Sequence, residues 1–206
     1  MSKRTLFAAA LVALCLTACT GRQETSVAEV ENPVISAIMN RRSIRQYKDI
    51  PVEREKLQLI AECGVNAPNG MNAQRWEVRI VDNKEMIDAI SEEYRKANPD
   101  RVDASFKNMF RNAPALVCVA VPEGDDGVNA GLLGENVMLA AYSLGLGTVC
   151  LGGPVAFLKG TPAGQEFISR LAFSDGYSLL FIIGVGYPDE TPAAKPRDLG
   201  KIRFVE

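Results

Sequence analysis

Three arginines and a serine fall within five residues in the run Arg41-Arg42-Ser43-Ile44-Arg45-Gln46-Tyr47. Guanidinium groups present planar forks of N–H donors matched to oxyanions, so this set can converge on a phosphate. The same residues also read as a solvated cationic face. A second set, Ala67-Pro68-Asn69-Gly70-Met71-Asn72-Ala73-Gln74-Arg75-Trp76, packs two Asn amides and a Gln amide around a glycine. Amides of this kind suit the polar edge of a heterocycle, and they equally suit a plain turn. A third run, Gly145 to Pro154, holds a GxG spacing, but it follows a helical pattern rather than a strand and is not a dinucleotide fingerprint. Its Gly147, Gly152 and Gly153 are positioned to let backbone approach a flat ligand closely. The last, Gly186-Tyr187-Pro188 followed by Lys195-Pro196-Arg197, adds two cations that belong either to a phosphate site or to a solvated tail.

Histidine is absent from the 206 residues, which removes Ser-His-Asp triads, Cys-His dyads and HExxH zinc sites. Acid–base work must fall to carboxylates, Lys, Tyr or Cys, or the demanding chemistry must be carried by a cofactor. With 47% apolar residues and a formal net charge of −2, the chain reads as one globular domain, and the charge excludes nucleic acid as a partner. A chain of this length buries about 70% of its unfolded surface, enough for a core without staples.

Before the domain, Lys3 and Arg4 precede an apolar run over residues 6–16, too short to span a bilayer at about 20 residues. Residues 1–18 are expected to be a secretory signal. Its end, Leu16-Thr17-Ala18-Cys19, resembles a bacterial lipobox, so that Cys19 becomes a lipid-modified N-terminus; an ordinary cleaved signal is the alternative. Loss of Lys3 and Arg4 leaves 21 basic against 25 acidic residues, a net charge of −4. Residues 19–32 then form a polar tether, and the domain spans 33–206. The expected location is the cell envelope, lipid-anchored at the periplasmic face or the outer membrane. Thr20, in place of the aspartate associated with inner-membrane retention, points to the outer membrane. Cys63, Cys118 and Cys150 remain, an odd number that makes no complete disulfide framework, and the apolar surroundings of the last two predict buried structural thiols.

The elements that must position these groups follow from periodicity. Helical spacing predicts helices over 33–40, from the residues after Pro51 to Val65 with Leu57, Ile60, Ala61 and Val65 on one face, over 83–97, over 101–112 and over 128–144. The helix at 128–144 is apolar nearly all round, as a helix buried at a core or an interface would be. Strands are predicted at 76–81 by alternation, and at 115–121, 148–151 and 178–185 as buried apolar runs. Residues 66–74 read as a loop and 187–206 as an extended tail. The fold class is α+β, a central sheet with helices packed on it.

The order RRSIRxY, APNGMNAQRW, LGLGTVCLGG, GVGYP and KPR, across residues 35–205, resembles the nitroreductase family of FMN-dependent oxidoreductases. That resemblance implies a three-layer sandwich with a mixed or antiparallel central sheet, a homodimer with two sites at its interface, and FMN as cofactor. It implies that Arg41, Arg42, Ser43 and Arg45, joined by Lys195 and Arg197, hold the phosphate and ribityl chain. Pro68, Asn69, Met71, Asn72 and Gln74 would lie along the flavin from the second subunit, and Gly152 and Gly153 would pass backbone near the ring. No side chain need be catalytic, because the flavin carries the redox chemistry, and no metal is implied. Electrons would pass in a ping-pong reaction from NAD(P)H, or from another donor for an exported protein, to a nitroaromatic, quinone or related acceptor. The alternative is a non-catalytic, membrane-tethered lipoprotein that binds flavin or another ligand. One departure stands out: the family commonly reads Gln-Pro-Trp where this chain has Gln74-Arg75-Trp76, which adds a charge beside the site.

Overall fold

A computed structural model describes Asn32–Glu206; the expected signal segment, Cys19 and most of the tether lie outside the described residues. Helix α1 (Pro33–Asn40) begins where the Asn32 side chain accepts hydrogen bonds from the backbone N–H groups of Val34 (2.9 Å) and Ile35 (3.2 Å). Pro33 sits at the first helical position, where a missing N–H costs nothing. Helix α2 (Arg54–Val65) turns Leu57, Ile60 and Gly64 to the core, with Glu53 at its N-cap and Glu55 in its first turn. Val65, expected on the apolar face, is instead exposed.

Four strands follow in the order β1 (Glu77–Val81), β2 (Ala115–Pro122), β3 (Gly147–Leu151) and β4 (Tyr177–Gly186). They form one sheet, β1-β2-β4-β3, and every pairing is antiparallel. The central strand β2 is buried on both faces, which is why it reads as a continuous apolar run rather than an alternation. Leu116 and Cys118 point into a core shared with helices α3 (Lys84–Ala97), α5 (Gly153–Gly160) and α6 (Pro162–Arg170). Ala115, Val117 and Val119 point the other way, against α2 and α4 (Val128–Ser143). Period-two alternation along one strand therefore feeds two cores, and the result is a three-layer sandwich.

Two differences from the periodicity reading have local causes. Residues 101–112 do not form a helix; a 3-10 turn at Pro99–Arg101 leads into irregular backbone ending with Phe110 fully buried. Side chains replace the helical ladder there. Asn112 Oδ1 accepts from the N–H groups of Lys107 (2.9 Å) and Asn108 (3.1 Å), and Asn108 bonds the Phe110 N–H and the Ala113 carbonyl (both 3.0 Å). Conversely, α5 and α6 occupy a stretch for which no element was predicted. Pro154 and Pro162 start them, and Thr161 caps α6 by accepting from the Gly164 N–H at 3.2 Å.

The edge strand β3 is covered by the segment that follows α1. Ser43 bridges Thr148 in parallel, and the Ile44 N–H donates to the Thr148 carbonyl at 2.9 Å. Tyr47 bridges Pro188 beyond the end of β4. Both seats are made by absent side chains: a Cβ on Gly147 would lie 2.7 Å from Ile44 Cγ1, and one on Gly186 would lie 2.7 Å from the Tyr47 ring. Gly147, expected to approach a flat ligand, instead receives Ile44. Ile44 is branched at the crowded atom and cannot swing away. Gly147→Ala is therefore expected to lower stability by about 1–3 kcal/mol, measured as a shift of the urea midpoint at unchanged slope.

Candidate cofactor site

Arg41 is the C-cap residue of α1, so the arginine cluster begins where helix yields to the strand-like segment on β3. The Arg41 guanidinium lies 3.4 Å from Glu135 on α4, while its Nε is buried without a hydrogen-bond partner. Arg42 donates through Nη1 to the carbonyls of Met39 and Arg41, both at 2.8 Å, which satisfies helix-end acceptors. Arg45 donates to the Ser43 carbonyl at 3.2 Å. Among the described residues, Arg42, Arg45, Lys195 and Arg197 pair with no carboxylate. The segment therefore holds an orphaned buried donor on Arg41 together with the guanidiniums of Arg42 and Arg45, which form no ion pair, a donor set that fits a phosphate.

Gly152 and Gly153 follow β3 on the same edge of the sheet. Both are exposed, and open space surrounds the position of an added Cβ at each, so backbone is available to a flat ligand. Cys150, predicted buried, is exposed, the single exposed residue of β3, where it lies near Arg41 and Glu135 rather than under apolar cover. Its sulfur is still partly dehydrated, and that raises the thiol pKa against the lowering influence of Arg41. Cys118 on central β2 is buried as expected, and burial pushes its thiol up to about 12.

The amide set occupies a loop of unusual backbone. Met71, Asn72 and Gln74 have φ of 54°, 51° and 47°, left-handed values that asparagine adopts readily but that cost Met71 and Gln74 about 1–2 kcal/mol each. Asn69 holds the loop together by accepting the Gln74 N–H at 2.9 Å, and Met71 projects 99% exposed. Pro68, Asn72 and Gln74 are exposed and Asn69 is half-buried. Arg75 reaches to 3.8 Å from Asp125. Strained backbone that holds an apolar side chain in water marks a surface built to meet something.

One chain does not bring the two sets together. The amide loop runs into β1, where Glu77 pairs Ala120 and Ala120 pairs Leu179; Ser43 pairs Thr148, which pairs Val185. Six residues of β4 separate these levels, about 20 Å at the rise of an extended strand. Lys195 and Arg197 lie on the exposed tail, and no hydrogen bond joins them to Arg41, Arg42, Ser43 or Arg45. Two participants carried no sequence signal: Glu135 meets Arg41 across 94 residues, and Glu190 meets the backbone of Arg45 across 145.

Behind the cluster, Tyr187 ties the sheet to α2. Its hydroxyl donates to Glu53 Oε2 at 2.7 Å and accepts from Lys56 Nζ at 2.6 Å. The Tyr187 hydrogen bond, foremost, holds the Glu53 carboxyl down at about 2.

Comparison with known proteins bears on this arrangement. Residues 38–187 match the model of the nitroreductase family. An FMN reductase [NAD(P)H] from Bacillus subtilis is 32% identical over 186 residues, covering 81% of this chain and 70% of that one. An NADPH-flavin oxidoreductase from Vibrio harveyi is 28% identical, covering 81% and 70%. Among solved structures, a nitroreductase with bound FMN from Desulfitobacterium hafniense superposes with a TM-score of 0.76 at 30% identity, covering 85% of this chain and 99% of that one.

A carboxyl lowered in the folded state stabilises the fold above its unfolded pKa, and that contribution is lost as pH falls through the folded value. The stability difference between the wild type and Glu53→Gln is thus expected to be constant above about pH 5 and to vanish toward pH 2. Urea midpoints measured across that range check it; a difference that grows on acidification contradicts the assignment.

Proposed function

The chain belongs to the nitroreductase family of oxidoreductases, and on that premise we propose that it passes electrons from NAD(P)H to nitroaromatic, quinone or related acceptors by a ping-pong mechanism. FMN, when bound, supplies the electron-carrying chemistry. The observation that carries the reading is the arginine cluster on β3, with its unneutralised cations and the orphaned Arg41 Nε. Arg41, Arg42, Ser43 and Arg45 would hold the phosphate and ribityl chain, joined by Lys195 and Arg197 from the tail. Gly152 and Gly153 present backbone to the ring. Exposed cations beside the site also draw an anionic nicotinamide donor by long-range attraction.

The homodimer completes the site. Pro68, Asn69, Met71, Asn72 and Gln74 come from the second copy, a reading supported by the distance between the two sets within one chain and by the full exposure of Met71. Apolar surface for that contact is plentiful: Val34, Ile35, Ile38 and Met39 on α1, Val128 and Leu132 on α4, and Phe204 in the tail are all exposed. A single chain rarely leaves such patches to water. Arg75 stands at the rim of the same loop, with its charge paired to Asp125.

We further propose that Cys19 is lipid-modified and that the domain works at the cell envelope on its tether. The support is the sequence alone: an apolar run bounded by Lys3 and Arg4 and ending in Leu16-Thr17-Ala18-Cys19. Substitution Cys19→Ser is expected to release the protein from the membrane fraction. A variant that still partitions with membranes removes the anchor.

Purified protein supplied with FMN is expected to take up one flavin per chain, to bleach in the visible on adding NAD(P)H, and to recover its colour with a nitroaromatic or quinone. Protein that binds no FMN refutes the reading; protein that binds it without turnover leaves a binding role. Arg42→Ala and Arg197→Ala are each expected to weaken FMN binding by about 1–3 kcal/mol, as loss of a charge-assisted hydrogen bond does. Fluorescence titration decides this, and unchanged affinity in both variants displaces the phosphate from this cluster.

A further inference from the structure

We propose that Glu190 is a positioning residue of the FMN site, a latch that carries the tail cations Lys195 and Arg197 to the arginine cluster. The inference rests on the FMN reading above. Residues 46–48 and 187–189 form a short antiparallel ribbon: the Lys48 N–H donates to the Tyr187 carbonyl and the Asp189 N–H to the Gln46 carbonyl, both at 2.9 Å. Beyond it, among the described residues, the tail makes no backbone–backbone hydrogen bond until the turn at Leu199–Lys201. Glu190 extends the pairing with its side chain. Its Oε1 accepts from the backbone N–H of Arg45 and, at 3.2 Å, from that of Gln46.

The choice of partner is informative. A carboxylate that merely neutralised the arginines would sit on a guanidinium, and Glu190 forms no ion pair with any of them. It grips main chain instead, at the residue whose side chain belongs to the cluster. One carboxylate thus fixes the backbone under Arg45 and the point from which the tail departs. Lys195 lies five residues on and Arg197 seven, and Arg197 Nη1 donates to the Lys195 carbonyl at 3.2 Å, so the two cations travel together. Five residues of free chain reach about 17 Å. Without Glu190 the tail is fixed only as far as Asp189, and the backbone N–H groups of Arg45 and Gln46 lose their acceptor, so FMN binding would have to order both the cluster and the tail cations.

The test is FMN affinity, read by fluorescence titration of the full chain. Glu190→Ala is expected to weaken binding about tenfold, while Glu190→Gln, which keeps the acceptor oxygen, stays within about threefold of wild type. The pair Lys195→Ala/Arg197→Ala weakens binding in the wild-type background and adds little to Glu190→Ala, because the residues beyond Asp189 are then no longer held on the arginine segment. FMN should also slow tryptic cleavage after Arg197 in the wild type and not in Glu190→Ala. Wild-type affinity in Glu190→Ala, a Gln variant as weak as the Ala variant, or losses that multiply would each overturn the latch. Arg42→Ala in the same series separates the two levels: sensitivity to Arg42 with multiplying tail losses refutes the latch alone, whereas insensitivity to Arg42 and to every tail variant refutes the FMN reading beneath it.

Discussion

The close approach of Ile44 to Gly147 and of Tyr47 to Gly186 is the constraint on which the rest of the site depends. It turns a basic run of sequence into a strand-like cover on the edge of β3, so that Arg41, Arg42 and Arg45 are fixed by main-chain pairing rather than left on a solvated helix end. Tyr47 secures the same seat from below, its hydroxyl donating to the Ile44 carbonyl at 2.7 Å. Burial and the facing Glu190 charge push the Tyr47 pKa up, so the phenol stays protonated and able to donate.

The sheet makes that edge rigid. β2 and β4 lie at its centre and are packed from both sides, α3, α5 and α6 on one face and α2 and α4 on the other. Losing either layer would leave half of an apolar strand in water, so both layers and the sheet hold together as a unit. Polar ties work at the periphery. Tyr187, Glu53 and Lys56 bind the end of β4 to α2, and Glu190 binds the departing tail to the arginine segment. Cations are thereby gathered on the β3 edge, with the acids that touch the segment committed to backbone or half-committed through Glu135.

At the other end of the sheet the chain stores strain instead of relieving it. Three left-handed residues in the loop from Met71 to Gln74 hold Met71 in solvent, and apolar side chains on α1 and α4 are exposed as well. Both features make sense on a surface completed by a second copy. On the proposed dimer the arginine cluster and the amide loop would belong to one site built from two chains, and a domain of this size need not enclose a cofactor by itself.

The sequence by itself determined the α+β class, four strands, four of the six helices, the burial of Cys118 and the residues that could meet a phosphate. Each of these is written in local periodicity or in residue chemistry, which neighbours in the chain express without help. It also carried the ordered motifs by which the family is recognised. Only the tertiary structure decided the rest. Residues 101–112 have helical spacing, yet Asn108 and Asn112 bond the backbone and turn Phe110 into the core, a choice made by packing against the sheet. Cys150 has the apolar neighbours of a buried strand, but it alone on β3 is exposed, and which residues the packed layers cover is settled only by the tertiary arrangement. Gly147 looked like room for a ligand and is room for Ile44. Glu135 and Glu190 reach their partners across 94 and 145 residues, and no periodicity encodes a contact at that range: it exists only once the sheet has brought the two stretches of chain side by side.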